Sequence, residues 1–223
     1  MVSRVRSSLT WPMLAGLSAA VLALLIGLSA GGDPVEDWQL AARYTARTSF
    51  LIFILVYCAR PIDQLVRSRL THSLMRRRRW LGLGFALSHA VHLVTLLIAL
   101  RVSATTPDAL TLVGGGISYA LILALALTSK NALQRRLGRG WKRLHLLAMH
   151  WLWIVFFFDY VTRIFVGDLR VVGLIGSSVA LAAALIRLLA WLRAGRSAGR
   201  RASMNGADRG ITANSSSLDI ARR

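Results

Sequence analysis

The sequence predicts an all-α, polytopic membrane protein, a bundle of six transmembrane helices. Three observations predict it. Apolar runs of spanning length recur along the chain with only short polar breaks, and 55% of its 223 residues are hydrophobic. The mean hydropathy is +0.55. The basic residues behind the net charge of +19 cluster between the apolar runs and at the ends. A soluble domain does not combine these features. Clustering of that kind fits topology signals facing anionic lipid and argues against nucleic acid as a partner.

The six apolar segments are Pro12–Ala30, Thr48–Ala59, Leu81–Leu100, Ala109–Thr128, Leu144–Phe165 and Val171–Leu192. Each must be helical, because lipid offers no partner to an unpaired backbone group. The second is short as an apolar run and is expected to extend from near Ala41 to near Val66. The first follows Arg4 and Arg6, as a signal peptide would, but its apolar stretch is too long for a signal core and it reads as a retained helix.

The connecting segments alternate in charge. Arg60, Arg67, Arg69 and the run Arg76–Arg79 follow the second span, and Lys130, Arg135, Arg136, Arg139, Lys142 and Arg143 follow the fourth. Asp33, Glu36, Asp37, Asp108 and Asp168 mark the opposite side. The positive-inside rule then places both termini in the cytoplasm of a bacterial inner membrane protein. Residues 1–193 form the expected transmembrane domain. Residues 194–223, rich in Gly, Ser, Ala and Arg, are expected to be a disordered basic tail touching lipid heads. The lone Cys58 lies in an apolar run, so it supports no disulfide and no cysteine-based metal site, and reads as a packing residue.

Four of the five histidines fall inside spans: His89 and His92 in the third, His145 and His150 in the fifth. An imidazole is expensive in hydrocarbon unless it is paired, hydrated or ligating. Two helices that each carry two such residues can hold one metal centre, and in an apolar bundle that centre is a haem with two axial imidazoles. Helix rise puts His89 about 14 Å and His92 about 18 Å beyond Arg79, and His145 about 6 Å and His150 about 14 Å beyond Trp141. On depth alone His89 pairs best with His150. His92 with His150 is off by about one turn, and His92 with His145 by about two; helix tilt keeps all three open. The rival use of the same residues is a haem-free proton relay or a proton-coupled transporter. Asp159 and Arg163, at i,i+4 spacing, read as a neutralised pair near the outer interface, and His72 as a residue of the basic loop.

Other features are secondary to the histidines. Trp141, Trp151, Trp153, Phe156, Phe157, Phe158 and Tyr160 crowd the fifth span as interfacial anchors or packing for a porphyrin. Gly82 and Gly84 are expected to allow close helix approach or to make room for a macrocycle, and Gly114, Gly115 and Gly116 to mark a bend or tight contact. Arg78, Arg79, Lys142 and Arg143 stand where haem propionates would end. No phosphate-cradling glycine loop and no flavin or nucleotide domain is legible, so electrons must come from another protein or from quinol.

Several motifs resemble a known family. Gly32-Asp-Pro-Val-Glu-Asp37 with Tyr44-Thr-Ala-Arg-Thr48, Arg78-Arg-Trp-Leu-Gly-Leu83 with His92, Leu127-Thr-Ser129, Gln134-Arg-Arg-Leu-Gly138 and Trp141-Lys-Arg-Leu-His145 are similar to the haem-binding membrane subunit of bacterial methionine sulfoxide reductases, within the ferric reductase-like transmembrane group. The resemblance runs from about Gly32 to His145. It implies a haem b protein that passes electrons across the membrane to a periplasmic, molybdopterin-containing reductase, with quinol or a cytosolic flavin reductase as donor. It makes this chain the electron-transfer component of an oxidoreductase, with no catalytic residue for the final substrate. His92 and His145 fall on family histidines. The family's further histidine, thirteen residues after the position of His145, is Phe158 here, while His89 and His150 are additional. The spacing through which related bundles stack two haems is absent, so one haem is expected.

Overall fold

The computed structural model describes residues 10–196 with their side chains, and beyond them only the backbone course of the first and last helices. Its helices are α1 (Val2–Leu28), α2 (Pro34–Leu65), α3 (Arg69–Val102), α4 (Ala109–Leu127), the short α5 (Asn131–Leu137), α6 (Arg139–Arg163) and, after a 3-10 turn at Gly167–Leu169, α7 (Arg170–Ile220). Among the described residues six helices are long and apolar enough to cross a membrane. The all-α, six-span architecture is therefore the observed one. The expected tail from Ala194 begins inside α7, whose side chains are described through residue 196.

The second and third helices are longer than their apolar cores. Pro34 opens α2 at a position where a missing N–H costs nothing, with Glu36 and Asp37 against the positive end of the helix. At the other end, a capping box fixes the start of α3: the Ser68 side chain accepts from the Thr71 amide and the Thr71 hydroxyl takes the Ser68 amide. The expected basic loop after the second span thus shrinks to Val66–Ser68. Arg60 belongs to α2, and His72 and the Arg76–Arg79 run belong to the first turns of α3. Between α3 and α4, the hydroxyl of Thr111 holds the exposed Asp108 carboxyl below its ordinary range.

Close packing concentrates in α1–α3. α2 and α3 form the most extensive pair, α1 lies against both, and α7 joins α2 to α6. Gly84 faces Gly16 of α1, and a Cβ at Gly84 would stand 2.7 Å from the Pro12 carbonyl oxygen. Small residues therefore let the two backbones touch, which in lipid replaces hydrophobic driving force with dispersion contacts. The expectation of close approach holds for Gly84 and not for Gly82, which has open space. Gly114, Gly115 and Gly116 likewise meet nothing within 4 Å, and α4 runs unbroken through them. They make neither a bend nor a contact, because α4 is covered on little of its surface. The interior cluster of Phe53, Tyr57, Cys58, Phe85, Ile122, Met149, Leu152 and Ala183 draws on α2, α3, α4, α6 and α7, and Cys58 is a packing residue in it.

Candidate functional site: four intramembrane histidines

Two polar contacts set the register of α2 against α3. Thr45 meets His92 Nδ1 at 3.1 Å, and Ser49 shares a hydrogen bond of 2.8 Å with Ser88. The partners are four residues apart on each helix, so both lie on one face. Continued along these antiparallel helices, the same register puts Tyr57 of α2 level with about position 80 of α3.

α6 can then be placed in depth. The His150 ring lies edge-on to Tyr57, centroids 6.4 Å apart. Phe156 lies between Phe85 and His89, at 6.4 and 5.8 Å. Both contacts set α6 against α3 so that His150 stands near the level of Leu81, about eight residues, or roughly 12 Å, from the level of His89. The matched depth expected of His89 and His150 is therefore not what the fold provides. Arg79 does not mark the entry of its helix: α3 already runs as helix from Arg69, whereas Trp141 lies in the first turn of α6.

The four histidines thus form two layers, each on one helix. In the α3 layer, His89 and His92 have ring centroids 5.4 Å apart, and His89 stacks on Tyr119 of α4 at 4.8 Å. In the α6 layer, His145 stacks on Trp141 at 5.1 Å, while His150 faces Tyr57, over whose ring the Arg187 guanidinium sits at 4.7 Å. On α6, the same register brings Phe158 to the level of His89 and Val161 to that of His92, with Asp159 and Tyr160 between them. Phe158 is exposed on the outer surface of the bundle, and Asp159 is engaged bidentately by Arg163, with both bonds at 3.0 Å. That neutralised pair is as the spacing predicts.

Hydrogen bonds sort the imidazoles further. The Thr45 hydroxyl donates to the carbonyls of Ala41 and Ala42, at 2.8 and 3.1 Å, and so accepts from His92 Nδ1–H. His150 Nδ1 lies 2.7 Å from the Leu146 carbonyl, which can only accept. Both rings are therefore Nδ1–H tautomers with the lone pair on Nε2, the state of a metal-ligating or proton-accepting histidine oriented from behind. By contrast, Nδ1 of His89 and of His145 is buried with no partner, a costly condition for an isolated imidazole nitrogen. Among the described residues no group of three or more His, Cys, Asp or Glu side chains is placed to hold a metal ion.

Of the aromatic residues on α6, Trp151 Nε1 donates to Ser118 of α4 and Trp153 Nε1 to the Ala180 carbonyl of α7, so these two pack helices together. Arg79 lies over Trp80, while Lys142 and Arg143 are exposed. Sequence reasoning passed over Thr45, Ser49, Tyr57, Ser88, Tyr119 and Arg187. The signal for the first four was polar or aromatic residues at i,i+4 or i,i+8 spacing within apolar spans. Arg187 was visible as a lone arginine in the sixth span. No protein-family model and no solved structure matches the chain.

Proposed function

We propose that this chain is a haem b-binding electron-transfer subunit of a bacterial inner membrane, with both termini cytoplasmic. The observation that carries the reading is the pair of Nδ1 anchors, Thr45 for His92 and the Leu146 carbonyl for His150. Each turns an imidazole Nε2 with a free lone pair away from its own backbone, which is the donor chemistry axial ligation requires. His92, with His89 beside it on α3, or His150, with His145 on α6, would hold the group from its own layer. When bound, haem supplies one-electron chemistry; the protein supplies the ligands and a dry aromatic surround. Bis-imidazole ligation of one iron by α3 and α6 needs the two layers to meet in depth. The ligation state is thus the sharpest readout. The resemblance to the membrane subunit of methionine sulfoxide reductases supports the direction of transfer, from quinol or a cytosolic flavin reductase to a periplasmic, molybdopterin-containing partner.

The test is the absorption spectrum of the purified protein, as isolated and after addition of haemin. A Soret band with a stoichiometric haem content is expected. A low-spin spectrum reports two imidazoles on iron, and a high-spin spectrum one. No Soret band under either condition removes the reading.

A second reading is a haem-free proton path, and the staggering favours it. Imidazoles at successive depths, from His145 through His150 to His89 and His92, with Tyr57 and Tyr119 beside them, suit stepwise transfer better than one shared ligand set. Proton flux into vesicles carrying haem-free protein, lost in His150→Phe, would select this reading.

A further inference from the structure

Where α2 ends against the middle of α7, on the arginine-rich side, lies a cleft of about 360 Å³, within the range of small-ligand sites, about 300–1,000 Å³. Its walls are Leu65, Val66, Leu189 and Leu192, and its charged rim is Arg193 and Arg196; among the described residues no carboxylate lines it. The cleft begins where α2 ends, and none of its described lining residues is a histidine.

Three features decide what it takes. Leu189, Leu192, Arg193 and Arg196 share one face of α7, by i,i+3 and i,i+4 spacing. The two guanidiniums therefore stand over the apolar walls, about one turn apart. The Arg193 Nη1 donates to the Leu65 carbonyl at 3.4 Å, which ties that guanidinium to the end of α2 and keeps it above the cleft. The walls continue into exposed leucines of α7, Leu185, Leu188, Leu189 and Leu192, which form the lipid-facing surface of the helix. A ligand seated here has an anionic head against two arginines and an apolar body running along α7.

We propose that this cleft is a binding site for an anionic phospholipid. The phosphate sits between Arg193 and Arg196, whose planar forks match it, and the acyl chains lie along Leu189 and Leu192. The site ties the end of α2 to α7 and is independent of the haem reading.

The experiment uses the full chain in detergent micelles, with bound lipid counted by native mass spectrometry. Phosphatidylglycerol is expected to bind with defined stoichiometry, and phosphatidylcholine at least about tenfold more weakly. The double variant Arg193→Gln/Arg196→Gln is expected to lose phosphatidylglycerol by a similar factor, with its helical circular dichroism and elution volume unchanged. Leu189→Trp keeps the charge and fills the cleft, and is expected to lose the lipid as well. Arg135→Gln/Arg136→Gln, on the other basic segment, is expected to retain it. Equal binding of the two lipids overturns the proposal, as does full retention by Leu189→Trp or by the Arg193/Arg196 variant. Displacement of the lipid by millimolar inorganic phosphate overturns the lipid assignment and leaves a free-anion site.

Discussion

The two histidine layers differ in how they are built. The α3 layer sits where α1, α2 and α3 meet by small residues, and its polar groups are bonded across helices, Thr45 to His92 and Ser49 to Ser88. The α6 layer is held by aromatic rings and by its own backbone: Trp141 under His145, Tyr57 beside His150, and the Leu146 carbonyl behind it. One layer is fixed by tertiary contacts, the other by a single helix. A ligand in the first relies on the integrity of three helices, whereas a ligand in the second needs only α6 and the facing side of α2.

That contrast can be broken most severely at Gly84. Gly84→Leu places a side chain into the Pro12 backbone and is expected to destabilise the α1–α3 unit by about 3 kcal/mol. Thermal unfolding in detergent measures it. An unchanged midpoint would show that α1 and α3 are not held by this contact. The same variant should disturb His92 far more than His150, seen as a larger change in the histidine-dependent spectrum of the α3 layer.

Alanine at His92 and at His150 comes next. On the haem reading, alanine at the one of the two that ligates iron is expected to lower bound haem by tenfold or more, while His145→Ala, whose Nδ1 has no orienting partner, is expected to do less. Haem-to-protein ratios after reconstitution decide this. If His145→Ala has the larger effect, the orienting bonds do not mark the ligands.

Thr45→Val is a finer probe. It removes the acceptor for His92 Nδ1–H without changing shape, so it should weaken haem binding by about tenfold and leave the His150 side unaltered. Titration with haemin measures the change. The smallest effect is expected at Gly115, where a side chain meets open space. Gly115→Ala should leave stability and haem content within error, and a clear loss would mean that α4 packs more closely than its sparse cover indicates.

Much of the fold was legible because hydropathy is a local property. Six apolar runs, their flanking arginines, and the Asp159–Arg163 spacing all follow from residues near one another in sequence. The helix ends were less legible. Pro34 and the Ser68–Thr71 box lie in polar sequence outside the apolar cores, so α2 and α3 extend well past the runs that announce them. The histidines were found by the cost of imidazole in lipid. Their partners were missed, because a threonine or serine in a span carries no such cost once it can bond a carbonyl of its own helix, as Thr45 does with Ala41, and a tyrosine reads as one more aromatic packing residue.

The sequence by itself determined the number of crossings, the helical character of each and the four imidazoles that need a purpose. Only the tertiary structure decided that these imidazoles form two layers, with His150 about 12 Å in depth from His89, and which of them are oriented from behind. Rise along one helix is fixed by its own geometry. The offset between two helices is set by where their side chains interlock, here Tyr57 against His150 and Phe156 between Phe85 and His89, and no single run of sequence contains that interlock.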